Sequence, residues 1–98
     1  MEYNYTLRLK AEQDVDSILD YIAQDNPNAA LKLYSKFLRQ FEYISEFPEV
    51  GRLRDEFTPT MRSLAVGNYT IYFREIAPVQ IIRILHGARL SASQLFEE

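Results

Sequence analysis

The chemically most suggestive stretch of the chain is RILHGAR, residues 83–89, which places the only histidine between two arginines. An imidazole titrates near neutral pH, and arginines can stabilise the charge of a phosphoryl transition state. The stretch is therefore typical either of a metal-free nuclease or of an arginine rim that binds a partner. Acid–base chemistry at His86 needs a second titratable group, and the spacing places neither Asp55 nor Glu75 beside it. We expect His86 to hold the end of a strand, with partner contact as the second interpretation and acid–base work as the third.

The arginines are concentrated in the second half of the chain. Between Gly51 and Arg89 there are six arginines and three acids, whereas residues 12–25 carry five acids and no base. Guanidinium groups bind carboxylates and phosphates with two parallel hydrogen bonds and stack on aromatic rings. We expect Arg83 to be a sheet residue with a paired head, and the acids of residues 12–25 to be solvated. The candidates for target recognition are Arg52, Arg54, Arg62, Arg83, His86 and Arg89.

Two pairs of these arginines have more specific expectations. Arg62 and Arg89 are predicted to flank the open end of the sheet and to contact the target. For Arg52 and Arg54, which lie in a long loop, a capping or solvated role is favoured over a functional one.

Composition restricts the classes of protein to which the chain can belong. Its 98 residues, 47% of them hydrophobic, predict one globular domain over residues 1–98. The absence of cysteine excludes disulfides, zinc–thiolate sites and thiol nucleophiles, which favours a cytoplasmic location. We expect no signal peptide, membrane span, metal or cofactor. The net charge of −3 argues against direct nucleic-acid binding by charge alone.

Hydrophobic periodicity predicts the elements of the first half. Residues 2–9 alternate as a half-buried strand, and residues 11–24 follow the spacing of an amphipathic helix. Asn26 is a good N-cap, and Pro27 suits the first position of a second helix that extends to about Ser45.

The second half reads as a loop followed by strands over residues 62–66, 69–75 and 79–86. Gly67-Asn68 predicts a tight hairpin. Strict alternation would place Ile82, Ile84 and His86 on one face of the last strand. The tail, residues 91–98, suits a short helix. The predicted fold is α+β, in the order β-α-α-β-β-β with a short C-terminal helix, and its helical hairpin packs on a mostly antiparallel four-stranded sheet.

Five features in order resemble the RelE/ParE superfamily of bacterial toxins, closest to the ParE branch, and the resemblance covers essentially the whole chain. The features are the NP between the helices, FPEVGRLRDEF, Arg62 at the start of a strand, YTIYFRE and IIRILHGAR. Leu90 departs from the acid that many relatives carry after the last arginine.

The resemblance implies one of two activities. RelE-like members cut mRNA in the ribosome, whereas ParE-like members are associated with inhibition of DNA gyrase and have no established catalytic residues. Of the positions that RelE-like members use, this chain matches only Arg89. It has Arg62 and no lysine on the strand after the helices, Thr70 after Tyr69, and Leu95 or Phe96 at the C-terminal tyrosine position.

The resemblance therefore implies a ParE-like toxin with no catalytic residue, which binds DNA gyrase and forms a tight complex with a cognate antitoxin. Two alternatives stay open. The first is a RelE-like mRNA endonuclease with an altered active site, and the second is a non-toxic relative that retains only antitoxin binding.

Overall fold

The computed structural model describes residues 4–87, which form two helices and five strands. The predicted C-terminal helix and Arg89 lie outside the described residues. The elements are β1 (Tyr5–Leu7), α1 (Leu9–Asp25), α2 (Pro27–Glu46), a 3-10 turn (Pro48–Val50), β2 (Arg52–Leu53), β3 (Met61–Val66), β4 (Tyr69–Arg74) and β5 (Val79–His86).

The sheet is five-stranded and mixed, so the prediction of four strands was wrong. Its order is β1-β5-β4-β3-β2, and β1 runs parallel to β5 while the other three pairings are antiparallel. The additional strand, β2, has only two residues, which pair with Arg62 and Ser63 of β3. A two-residue strand cannot show alternating hydrophobicity, and its pairing depends on backbone groups alone.

The helices begin and end close to their predicted positions. The Asn26 side chain accepts a hydrogen bond from the Ala29 N–H at 3.1 Å, and Pro27 occupies the first turn of α2, as predicted. The first strand is shorter than predicted, because the Arg8 carbonyl already accepts from the Glu12 N–H and so starts α1.

Both helices cover one face of the sheet, and the main core lies between them. Its fully buried residues include Phe37 and Ile44 from α2, Ile71 and Phe73 from β4, and Ile81 from β5. Burial of these large side chains is the main source of stability for the fold.

The opposite face, here called the outer face, has a smaller cluster of Met61, Tyr72 and Ile82, with Phe57 and Leu85 against it. A β-bulge causes the division of β5 between the two faces. Tyr72 pairs with Arg83 and Phe73 pairs with Ile81, so Ile82 is an extra residue. The expectation that Ile82 and Ile84 share a face was therefore wrong.

Candidate recognition surfaces

Arg62 holds the start of the loop that follows the helices. Its Nε donates to Glu75 Oε1 at 2.7 Å and its Nη1 donates to the Gly51 carbonyl at 2.8 Å. Gly51 is buried, and a Cβ at this position would lie 2.5 Å from the Phe73 ring. Arg62 therefore binds the backbone of a segment that packs too closely on the core to carry a side chain.

Arg83 is paired with Asp14 across 69 residues of chain. Its Nε donates to Asp14 Oδ2 at 2.7 Å and its Nη2 to Asp14 Oδ1 at 3.0 Å, and both side chains are mostly buried. The Ile84 N–H donates to the same carboxylate at 3.0 Å. The expected paired head of Arg83 is confirmed.

The same geometry contradicts a fully solvated acidic stretch. Leu7, the last residue of β1, pairs with Ile81 of β5, so the Ile84 N–H lies beyond the end of β1. Asp14 on α1 supplies the acceptor there instead. A signal for this role was present in the sequence. Asp14 lies three residues after Ala11 and four before Ile18, so this acid is on the apolar side of the helix.

Arg54 lies on the outer face between two aromatic rings. Its guanidinium carbon is 5.0 Å from the Phe57 ring centroid and 5.6 Å from that of Tyr72. Its Nε donates to Glu56 Oε2 at 2.9 Å, and its Nη1 lies 3.4 Å from Ser63 Oγ. The hydrogen bond with Glu56 raises the pKa of Arg54, and the same bond lowers the pKa of Glu56.

Two further arginines share the outer face. Arg52 is exposed and pairs with Ser63, which places its side chain on the same face as Ser63 and Tyr72. Arg74, which the sequence-based analysis did not select, lies two residues beyond Tyr72 and donates to Thr60 Oγ1 at 3.3 Å. Beneath them, Tyr72 is fully buried, and its hydroxyl O–H has no acceptor within residues 4–87.

His86 is exposed at the end of β5, where its ring meets that of Tyr69 edge-on at 5.4 Å. The strand end is held by neighbours of His86. The Gly87 N–H donates to the Asn68 carbonyl at 2.7 Å, and Thr70 Oγ1 donates to the Gly87 carbonyl at 2.7 Å. Gly87 has a φ of +73°, a conformation that favours glycine.

His86 and Arg62 lie at opposite ends of the strands that carry them. His86 pairs with Tyr69 at the start of β4, whereas Arg62 pairs with Phe73 near its end. Four residues of strand, or about 13 Å, separate the two positions. Glu75 pairs with Arg62 at the far end. The described residues therefore bring no carboxylate of the predicted set to His86.

The helix-covered side carries a groove between β1, α1 and α2. One part, of about 370 Å³, is lined by Tyr5, Val15, Leu38 and Phe41 among others, and an adjoining part of about 320 Å³ by Leu19, Ala30 and Leu31. Tyr34 lines both parts. Burial, followed by the charge of Glu42, raises the pKa of Tyr5 and keeps its hydroxyl neutral.

The rim of this groove is acidic and its walls include exposed apolar groups. Glu12 and Asp16 line the first part and Asp20 the second, and all three are exposed. Leu31 is 64% exposed and Tyr34 43%, so both offer apolar area beside the groove.

Residues 4–87 hold neither a metal-binding cluster nor a membrane-spanning helix. That part of the chain contains no group of three or more His, Cys, Asp or Glu side chains arranged to bind a metal ion. Its helices include none with the length and apolar character needed to cross a membrane.

Comparison with known proteins gives a consistent family. The profile of the family described as ParE toxin of type II toxin-antitoxin system, parDE, matches residues 5–91. Two proteins of Caulobacter vibrioides are similar to the chain. Toxin RelE2 is 39% identical over 83 residues, covering 83% of this chain and 91% of that protein. Toxin ParE1 is 30% identical over 83 residues, covering 84% and 86%.

A solved structure, the chromosomal ParDE TA system from P. aeruginosa, has the same fold with a TM-score of 0.72 and 24% identity. The match covers 88% of this chain and 97% of that chain.

Proposed function

Because the chain belongs to the ParE toxin family of type II toxin–antitoxin systems, within the RelE/ParE superfamily, we propose that it arrests growth by binding DNA gyrase, without chemistry of its own. The observation that supports binding over catalysis is the separation of His86 from Arg62. Arg62 is also engaged with Glu75 and Gly51, and Arg83 with Asp14. Metal-free RNA cleavage needs an acid, a base and a cation close together.

The cognate antitoxin is proposed to bind the groove between β1, α1 and α2. The exposed Leu31 and Tyr34 provide apolar contact area, and β1 is an edge strand whose outer side can pair with an extended peptide. The acids Glu12, Asp16 and Asp20 on the rim favour a segment with basic flanks. The solved structure with the same fold, from P. aeruginosa, is that of a ParDE toxin–antitoxin system, which supports an antitoxin as the partner.

A supercoiling assay tests both parts of the proposal. We expect the purified chain to inhibit DNA gyrase and the antitoxin to reverse the inhibition. Tyr34→Arg should still inhibit but should need about tenfold more antitoxin for reversal, because a charge then occupies the apolar groove. Arg39→Ala is the matched control, since Arg39 is exposed on the same helix outside the groove lining, and it should behave as wild type.

A RelE-like endonuclease is the second candidate, because Toxin RelE2 has the higher identity of the two Caulobacter relatives. Its test is cleavage of ribosome-bound mRNA at defined codon positions. Such cleavage, by a chain that leaves gyrase active, would overturn the gyrase proposal. A folded chain that harms neither gyrase nor growth would identify a non-toxic relative that binds only antitoxin.

A further inference from the structure

The outer face carries arginines that the fold does not use as its long-range ion pairs. Arg52, Arg54 and Arg74 come from β2, the loop after it and β4. By contrast, the pairs Arg62–Glu75 and Arg83–Asp14 join segments 13 and 69 residues apart. Exchanging the partner of Arg62 or Arg83 would therefore break a contact between distant segments. The ion pair of Arg54 joins it only to Glu56, two positions away.

Arg54 is the most organised of the three. The rings of Phe57 and Tyr72 flank its guanidinium, and only 17% of its side chain is exposed. A planar guanidinium that is already stacked loses little conformational freedom when it binds a carboxylate. Like any arginine, Arg54 stays charged throughout the physiological range.

The present partner of Arg54 is easily replaced. Glu56 lies two residues away in the same loop, and 55% of its side chain is exposed. An ion pair with an exposed carboxylate contributes little to stability, because water solvates the carboxylate when the pair is broken. Asp14, with 14% of its side chain exposed, is a contrasting case in which the carboxylate is enclosed.

The Tyr72 hydroxyl lies beside Arg54 and contributes, after the Glu56 hydrogen bond, to the raised pKa of that arginine. It is buried, and no acceptor for its O–H is present within residues 4–87. A buried donor without an acceptor is uncommon in a native protein and favours an additional ligand. A carboxylate oxygen at Arg54 would supply an acceptor close to the ring of Tyr72.

We propose that the outer face binds an acidic segment of a partner protein, one carboxylate of which replaces Glu56 on Arg54. Glu56 is thus an internal competitor that keeps Arg54 occupied until the partner arrives. The inference rests on the proposed function in one respect, namely that the toxin acts by binding a protein target.

A protein carboxylate fits this face better than a nucleic acid. The face has no lysine within the described residues, and its aromatic rings, Phe57 and Tyr72, are half-buried and buried. Single-stranded nucleic acids need exposed rings for base stacking and an extended positive track. Asp55 and Glu56 interrupt such a track.

The test uses a blocked peptide of eight glutamates and a single-stranded DNA octamer, each fluorescently labelled, in anisotropy titrations at low salt. We expect Arg54→Ala to weaken peptide binding about tenfold, as for loss of a charge-assisted pair. Glu56→Gln should strengthen it about threefold, because the competitor is removed while the loop is unchanged. Arg54→Lys should resemble Arg54→Ala, since a lysine ammonium cannot form two parallel hydrogen bonds with a carboxylate or stack on a ring as a guanidinium does.

Two controls separate the site from general electrostatics. Arg39→Ala and Glu49→Gln make the same charge changes at exposed positions, so each should alter binding by less than half as much. Thermal melts establish that each variant is folded. If Arg54→Ala unfolds, Glu56→Gln still tests the proposal, because Glu56 is exposed and its substitution should leave the fold intact.

Equal effects of Glu56→Gln and Glu49→Gln would overturn the proposal. So would DNA binding that is tighter than peptide binding and depends on Arg54. Growth arrest is measured separately with the same variants. A wild-type chain that binds the peptide through Arg54 but arrests nothing would refute the proposed function alone, whereas arrest that persists unchanged in a folded Arg54→Ala variant would refute the outer face as its target site.

Discussion

The helix-covered face and the outer face of the sheet use their charged residues in opposite ways. Under the helices, a large core is enclosed, and Asp14 of α1 is bound by Arg83 and the Ile84 N–H. On the outer face, a small cluster is capped by a loop, and Arg54 is held by an exposed neighbour. The difference separates arginines that maintain the fold from an arginine that is available for recognition.

The same comparison separates two binding events. The apolar groove with acidic rim lies along α1 and α2, while the arginines of the outer face lie on the other side of the sheet. A basic, amphipathic antitoxin segment and an acidic target segment can therefore be recognised by different surfaces of one small domain.

The largest expected effect comes from the Asp14–Arg83 pair. Asp14→Ala should lower the free energy of unfolding by about 3 kcal/mol, because it leaves a mostly buried guanidinium and the Ile84 N–H without this acceptor. Urea unfolding measures the loss. Asp16→Ala on the exposed side of α1 is the control, and a loss of similar size there would show that Asp14 has no special role.

The second effect distinguishes the two kinds of arginine directly. Arg62→Ala should cost about 2 kcal/mol of unfolding free energy, since it releases both Glu75 and the Gly51 carbonyl. Arg54→Ala should cost less than about 1 kcal/mol. If urea unfolding gave the reverse order, Arg54 would be the structural residue and the comparison would fail.

The local features of the fold were accessible from sequence because they depend on neighbouring residues. The N-cap at Asn26 and the positions of β3 to β5 need only patterns of a few neighbouring residues. Gly67, with a φ of +60°, similarly confirms the hairpin predicted from the Gly-Asn pair.

The features that escaped prediction depend on distant segments. The pairing of β2 with β3 uses backbone groups, and the bulge at Ile82 leaves no pattern in an apolar run. The partners of Arg62 and Arg83 lie 13 and 69 positions away, so the sequence predicted a paired head for Arg83 without identifying Asp14, and did not identify Glu75 as the partner of Arg62. Target contact by the candidates for recognition, including Arg89, stays a prediction.

A smaller effect is expected at Gly51, which tests how tightly the loop packs on the core. Gly51→Ala would place a methyl group against the Phe73 ring and the Arg62 Cβ, so one of them must shift. Overpacking of this kind costs about 1–3 kcal/mol, and we expect the lower end because the ring belongs to a side chain. Gly87→Ala is not a suitable control, because its positive φ adds backbone strain. Urea unfolding of the Gly51→Ala variant measures the cost.

The smallest effect is a pH dependence at the outer face. The hydrogen bond from Arg54 holds the pKa of Glu56 below its usual 4.5. A lowered carboxyl pKa in the folded state adds stability that is complete above pH 4.5 and is lost as the pH falls through the lowered value. Wild type should therefore exceed Glu56→Gln slightly in urea midpoint at about pH 7, and the difference should shrink as the pH falls below 4.5.

The same titration bears on recognition, because acid and the Glu56→Gln substitution release Arg54 by the same route. The probe here is a peptide with an uncharged sulfoxide or amide acceptor, so that Glu56 is the carboxylate that titrates. If Glu56 competes for Arg54 only while it is ionised, Glu56→Gln should bind this peptide more tightly than wild type at neutral pH. The difference should shrink as Glu56 is protonated. Glu49→Gln should show no such convergence, since Glu49 is exposed in the 3-10 turn and has no part in the Arg54 pair. A difference between wild type and Glu56→Gln that is independent of pH would mean that the side chain acts through loop conformation, and Arg54 would then lose its internal competitor.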